Sequence, residues 1–493
     1  MKNLRDKTIS GIAWNIVSNV GQQVLGFVIG AILAHLLSPK EFGLIAMITV
    51  ITGFAGIFSE LGFSAALVQK RNIGQEHLST VFWINIAAGL LLMLIFMAGS
   101  PLIAGFYKEP QLVLITIFIS VNFLINSLCI VQKTLMTRDL DFRTLSIVEI
   151  ATVVVPGLAA IVMAYSGFGV WSLVIQSIVT SFSRVAFLWR LSKWRPRFEF
   201  HWWVIRNLIG FSSNFLGTRS LNYWARNLDN LLIGRFLGMD ALGVYSRAYS
   251  VMMTPLTNVS RVISRVMFPS FSVIQEDKQK IREVYLKITR TIALVTFPLM
   301  FGLFVLVKPF VMVVFGPKWT EMIPLLQVLC LLGIPQSIGT LNGNLYLSQG
   351  RADLQFRISL ILKANILLSI IVGLRWGVMG VAIGYTIASL INSYPSISYA
   401  VRLINMTFFD LLRNLSGIFV NAAMMAAAVW VFGLILPDGW SYWVCLAIQV
   451  PFGILIYFML LHTFKLKAYL DIKKFIYEQW QIKFVKSARE FTD

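Results

Sequence analysis

The chain has 493 residues, of which 57% are hydrophobic and only 13% charged, a balance that excludes an ordinary soluble protein. It is the composition of an all-α polytopic membrane protein. The formal net charge of +20 would suit a nucleic-acid binder, but the basic residues stand in short loops between apolar runs, so they report membrane topology and no nucleic-acid partner is expected.

Lys2, Arg5 and Lys7 precede an apolar run, as in a secretory signal, yet that run reaches Leu37 and is too long to be one. It reads as an uncleaved first span. Helix-length apolar segments then recur at 12–37, 42–68, 79–106, 112–133, 145–165 and 169–190, so residues 1–191 form an N-lobe of six spans. Residues 192–207 mix Lys193, Arg195 and Arg197 with Trp194, Trp202 and Trp203, which suits a cytoplasmic linker at the headgroup interface. Further segments lie at 208–237, 242–271, 289–315, 322–347, 356–374, 378–403, 415–436 and 441–463. They bring the total to about 14 transmembrane helices: six in a C-lobe over 208–404 and two extra within 405–463. Residues 464–493 interleave lysines with Tyr469, Phe475, Trp480 and Phe484. Such a basic amphipathic tail is expected on the anionic inner leaflet, with a partner-docking helix as the alternative.

Sorting the loops alternately puts about 30 of the 42 basic residues on the side of the N-terminus. The opposite side holds little beyond Lys40, Lys108, Lys308, Lys318 and Arg375. Both termini are therefore expected in the cytoplasm. The halves also resemble each other: LAHLLSPKEFGLIAM from Leu33 parallels IGRFLGMDALGVYSR from Ile233, and DLDFR at Asp139 answers DLQFR at Asp353. An internal repeat in one orientation implies two lobes related by an axis along the membrane normal, with substrate held between them near the midplane.

The segment at 208–238 is the most charged of the apolar runs. On a helix, Arg219, Asn222, Arg226 and Asp229 follow i, i+3, i+7, i+10 spacing and gather on a stripe roughly 80° wide. An arginine near the bilayer centre costs about 2.5 to 3.5 kcal/mol on insertion scales, so the stripe must face partners or water inside a helix bundle. Two readings stay open: a polar transport path, or helix-binding glue in which Asp229 neutralises Arg226. Under the repeat, Asn19 lies opposite Arg219 and Gln22 opposite Asn222, and Asn15, Asn19 and Gln22 form a polar stripe of their own. The next segment adds Arg247, Arg261 and Arg265.

Chemistry is otherwise sparse. There is no Walker A loop, Rossmann glycine pattern, H-E-x-x-H or Cys/His metal cluster, so neither an enzyme nor a cofactor is expected. Cys129, Cys330 and Cys445 lack metal-ligand spacing, and His35, His77, His201 and His462 stand at segment ends. Glu60, Glu149 and Asp229 are the carboxylates best placed within the membrane to carry a coupling proton, with pairing to an arginine as the alternative.

The opening LRDKTISGIAWNIVSNVGQQ, FPSFSVIQEDKQKIREVYLK from Phe268 and VFGPKWTEMIPLLQVLCLLG from Val314 carry a resemblance over nearly the whole chain. The chain resembles the bacterial polysaccharide flippases, the Wzx-type O-antigen and colanic-acid exporters of the multidrug/oligosaccharidyl-lipid/polysaccharide superfamily. The resemblance implies an inner-membrane flippase of two six-helix lobes plus two helices that passes an undecaprenyl-pyrophosphate-linked oligosaccharide to the outer leaflet. It also implies a cationic central cavity, for which Arg219, Arg226, Arg247 and Arg261 occupy suitable spans. Membrane lipids and polysaccharide assembly proteins are the further candidate partners. Arginine's planar fork matches phosphate oxygens, which independently suits an anionic lipid. A cation-coupled drug exporter would want carboxylates where the first helix offers amides, and a polymerase would need longer loops. A peptidoglycan-precursor flippase stays open as an alternative.

Overall fold

The computed structural model describes residues 2–59, 62–69, 73–437, 439–466 and 469, and every regular element among them is helical. The expected tail and Glu60 therefore lie outside, or almost entirely outside, the described residues. Contacts divide the chain into two compact units, Met1–Ser246 and Arg247–Asp493.

In the first unit, α1 (Lys2–Leu36) leads into α2 (Pro39–Ser59) through a very short turn. The turn is written in Ser38-Pro39-Lys40-Glu41. Pro39 opens the helix where an N–H has no partner to lose, and Glu41 reaches back to accept the Ser38 amide at 2.8 Å and the Ser38 hydroxyl. A short α3 (Phe63–Gln69) precedes the long α4 (Gln75–Tyr107). The next span is broken: α5 (Leu112–Ser127) and α6 (Ile130–Arg138) meet at 44°. Side chains explain the break, because Ser127 Oγ and Cys129 Sγ donate to carbonyls three residues back, and Trp189 Nε1 donates to the Leu128 carbonyl at 2.8 Å. Then come α7 (Phe142–Tyr165), started by the Asp141 cap on the Thr144 amide, and α8 (Val170–Leu191). α1 packs on α7, α4 on α5, and α7 on α8.

The linker from Ser192 to His201 is pinned along the start of α4. Trp194 Nε1 donates to Gln75 Oε1 at 2.7 Å, Gln75 returns a bond to the Arg195 carbonyl, and Trp83 Nε1 donates to the Arg197 carbonyl at 2.8 Å. Phe198 stacks on Trp83 with centroids 4.9 Å apart. The chain then enters α9 (Trp202–Val273), which breaks at Gly238 with φ 89° and ψ −176°, a conformation open essentially only to glycine. Buried Asp229 accepts the Tyr245 hydroxyl across that break at 3.1 Å, and the amide of the adjacent Asn230 at 2.8 Å.

Just past the break, α9 meets the start of α2 in a reciprocal contact. A Cβ added at Gly43 would overlap the Met239 carbonyl oxygen, and one added at Gly243 would overlap the Pro39 carbonyl oxygen. The two glycines, and Pro39 with Met239, are equivalent positions in the internal repeat, so the contact maps onto itself.

The second unit continues with α10 (Lys278–Val314), α11 (Met322–Gly339) and α12 (Asn342–Ser348). After them come α13 (Ala352–Gly373), α14 (Gly377–Arg402), α15 (Phe408–Ile435) and α16 (Tyr442–Thr463). α10 packs on α11 and α15, α13 on α14, and α15 on α16. Its fourth repeat span is also interrupted, between α11 and α12, where the first unit has its break between α5 and α6. Here the interruption is filled: Asn342 Oδ1 accepts Tyr285 Oη at 3.2 Å, and Asn342 Nδ2 donates to Ser396 Oγ at 3.2 Å.

Among the described residues, 10 helical segments are long and apolar enough to cross a membrane, or 11 if the bent α5–α6 pair is one span. The expectation from sequence is 14; α9 is not among these segments, and α13 with α14 makes one apolar stretch, Ala352–Arg402. The chain is a multi-pass membrane protein; many large apolar side chains on these helices, such as Leu91, Leu360, Ile435 and Leu455, are exposed, as a lipid-facing surface requires.

Candidate functional site

The first unit holds an open cavity of about 720 Å³ walled by α2, α3, α5, α6, α8 and α9. The α5–α6 break is what opens it, since Asn126, Cys129 and Ile130 at the break and Lys133, Thr134 and Thr137 beyond it all line the space. α2 contributes Thr49, Thr52 and Ser59, and α8 contributes Ser177 and Arg184. Opposite them stands Arg219, delivered by the docking of α9 on α2. Tyr223, one turn further along α9, donates its hydroxyl to the Val50 carbonyl at 2.8 Å, and Phe54 packs against both Tyr223 and Trp224.

Three cations therefore share one cavity: Lys133, Arg184 and Arg219. Lys133 is held by Glu149 of α7, with Nζ 3.2 Å from Oε1, and both side chains keep a third to a half of their surface open. Among the described residues Arg184, half-buried on α8, faces no acid within ion-pair distance. The remaining wall is uncharged, with Ile45, Ile119, Phe123 and Ile130 as its apolar part and amides and hydroxyls as its polar part. Asn122 and Asn126 donate to Ser177 and Ser181 at 2.9 and 3.0 Å, a two-rung ladder tying α5 to α8, and both amide oxygens are left without a partner. Such a lining offers full charges to an anion and hydrogen-bonding groups to whatever the anion carries.

The residues singled out from sequence fall into separate places. Arg219 lines the cavity; Asn222 and Arg226 are exposed on α9 and do not line it. Asp229 bonds Tyr245, and among the described residues no ion pair joins it to Arg226. Glu149 holds a cavity cation without lining the cavity itself. On α1, Gln22 donates to Ser18 Oγ one turn back at 2.8 Å, and Asn19 is half-buried beside it. The side chains of Asn15 and Arg261 lie outside the described residues, as does Glu60, and Arg247 belongs to the second unit.

Lys133 and Arg184 are the cavity residues that sequence reasoning passed over. Lys133 looks like a loop residue at the end of an apolar run, and only the α6 bend turns it inward. Arg184 carried a usable signal: Ser177, Ser181 and Arg184 stand at i, i+4, i+7, the spacing that marked the polar stripe of α1.

A helical multi-pass fold with a cationic cavity inside its first unit defines a membrane transport protein of the class whose charged path is built by several spans. Solved structures share the fold. The chain superposes on the lipid II flippase MurJ in an inward closed conformation with a TM-score of 0.73, at 14% identity over 92% of this chain and 98% of that one. An inward-facing multidrug transporter of the MATE family matches with a TM-score of 0.60, at 15% identity over 78% of this chain and 94% of that one. Residues 32–324 match the family described as polysaccharide biosynthesis protein, and the chain belongs to that family. It is similar to the teichuronic acid biosynthesis protein TuaB of Bacillus subtilis, 32% identical over 96% of this chain and 98% of that one. It is also similar to the lipopolysaccharide biosynthesis protein WzxC of Escherichia coli, 28% identical over 80% of this chain and 81% of that one.

Proposed function

We propose that this protein flips an isoprenoid-diphosphate-linked oligosaccharide, a repeat unit of an exported polysaccharide, from the inner to the outer leaflet of the bacterial inner membrane. The observation that carries the reading is the convergence of Lys133, Arg184 and Arg219 on one polar cavity. A diphosphate brings about two negative charges into a medium that solvates them poorly, and two guanidinium forks and an ammonium offset that cost where neutral groups could not. The neutral amides and hydroxyls around them suit the sugar next to the diphosphate. Relatives named for teichuronic acid, lipopolysaccharide and succinoglycan biosynthesis support a polysaccharide precursor as cargo.

The full span count on this reading is 14, with α9 crossing twice about Gly238 and α13 and α14 crossing separately. Both termini are cytoplasmic, supported by the excess of basic residues in alternate loops. The lobes of the repeat, 1–191 and 208–404, alternate their access to the two leaflets, and the Gly43–Gly243 contact is the external gate in its closed form. Among the candidate coupling carboxylates, Glu149 is favoured by its bond to a cavity cation.

Deleting the protein and identifying the lipid-linked oligosaccharide that accumulates on the inner leaflet tests the reading. Accumulation of a polysaccharide precursor, reversed by the intact chain, is expected. No accumulation of any such lipid would refute it.

A further inference from the structure

Asn85 of α4 is fully buried, and among the described residues neither its Oδ1 nor its Nδ2 has a hydrogen-bond partner. Phe82, Asn85 and Gly89 follow i, i+3, i+7 spacing and share one face of that helix. At one end of the face, Phe82 belongs to a buried cluster with Val131 of α6. At the other, Gly89 lies so close to α5 that an added Cβ would overlap the Phe123 carbonyl oxygen and crowd Ser127. Asn85 therefore stands opposite Leu128 and Cys129, where α5 stops and α6 begins.

The two units treat this place differently. In the second, the third repeat span α10 sends Tyr285 to the α11–α12 interruption, where Asn342 bonds both Tyr285 and Ser396. That polar set is closed. In the first, Trp189 of α8 ties the break through the Leu128 carbonyl, while α4 brings an amide that stays unused. The backbone at the break is drawn tight as well: the Leu128 amide donates to the Ile125 carbonyl and the Cys129 amide to the Asn126 carbonyl, each at 3.2 Å and only three residues back. Short three-residue bonding inside a span is the pattern of a hinge.

A buried, unpaired amide disfavours the state that contains it by about 5- to 150-fold, a penalty that an apolar side chain of the same shape avoids. The amide both donates and accepts, which suits a break, where N–H and carbonyl groups lose their helical partners. We infer that Asn85 is a positioning residue for Lys133: the α5–α6 break has a second bend, in which the Asn85 amide takes backbone groups of the break. The change of bend moves Lys133, on α6, relative to Arg184 on α8 and Arg219 on α9. The inference rests on the proposed flippase reading and deepens it. A cavity that grips a diphosphate with three cations must also release it, and a hinge at the base of α6 parts one cation from the other two.

The test uses the full chain in lipid nanodiscs with Cys129→Ser, Cys330→Ala and Cys445→Ala, and spin labels on Asp139→Cys after α6 and Ala186→Cys on α8, both exposed. Electron paramagnetic resonance reads the distance between the labels. Trp189→Phe removes the bond that ties the break and is expected to reveal a second distance. Adding Asn85→Leu should lower the ratio of second to first distance by about 5- to 150-fold, whereas Asn85→Ser, which still donates and accepts, should keep the second distance. In the otherwise unchanged chain, Asn85→Leu should raise the thermal midpoint and yet lower export at normal abundance, a pair of signs that a merely structural asparagine would not give. A single distance in the Trp189→Phe protein, or a second distance that survives Asn85→Leu, would overturn the hinge and leave the flippase reading intact. A midpoint lowered by Asn85→Leu would mean that the amide is paired in the state described here, and would overturn the hinge equally. The flippase reading fails separately, if deletion of the protein accumulates no lipid-linked precursor.

Discussion

Replacing Gly43 by alanine should shift the conformational balance of the protein away from the state described here. The added Cβ meets the Met239 carbonyl oxygen, a backbone atom that cannot rotate out of the way, so α2 and α9 must separate at this point. Overpacking of this kind costs about 1 to 3 kcal/mol. Alanine also favours a helix over glycine by about 1 kcal/mol, but that gain is present whether the gate is closed or open and cancels between the two states. The net bias against closure is then about 5- to 150-fold. It can be read by replacing Cys129, Cys330 and Cys445, introducing Pro39→Cys and Met239→Cys, and measuring the yield of a short bifunctional maleimide cross-link in membranes. The yield should fall on adding Gly43→Ala, and fall similarly with Gly243→Ala, whose Cβ meets the equivalent Pro39 carbonyl. An unchanged yield in both variants would refute the gate, and opposite shifts in the two would refute its symmetry.

Arg184→Gln should leave the protein in the membrane at near normal abundance but abolish polysaccharide export, with Arg184→Lys retaining part of it because charge survives and the fork does not; export assays beside immunoblots decide. Glu149→Gln should alter abundance little, since a half-exposed ion pair contributes about 0 to 1 kcal/mol; immunoblots of membranes check it. Gly238→Ala should destabilise the protein by about 1 to 3 kcal/mol through the strained backbone at the α9 break, seen as a lower thermal midpoint in detergent. Cysteines at Lys40, Lys108 and Lys318 should react with an impermeant thiol reagent from outside, and those at Lys193 and Lys278 should not; the reverse pattern would overturn the orientation.

The sequence by itself determined the class of molecule and much of its plan. Apolar runs long enough to cross a bilayer carry their own signal, because in lipid each helix must satisfy its backbone internally whatever its neighbours do. The repeat was legible for a similar reason: Pro39 and Gly43 match Met239 and Gly243 as letters before they touch as atoms. Arg219 could be singled out because a charge in an apolar run costs enough to demand an explanation. Tertiary structure alone decided which polar groups share a space. Arg226 is on the same helical stripe as Arg219, yet only Arg219 lines the cavity: seven residues set the two about 10 Å apart along the α9 axis, and Tyr223 docks the Arg219 end against α2. Lys133 reaches the same cavity through a bend made by Ser127, Cys129 and Trp189, residues distributed over two helices. Asp229 turned to Tyr245 across the Gly238 break, a partner set by the fold of α9 upon itself. Helical periodicity states which residues share a face, whereas the neighbour that face meets depends on packing between segments far apart in the chain.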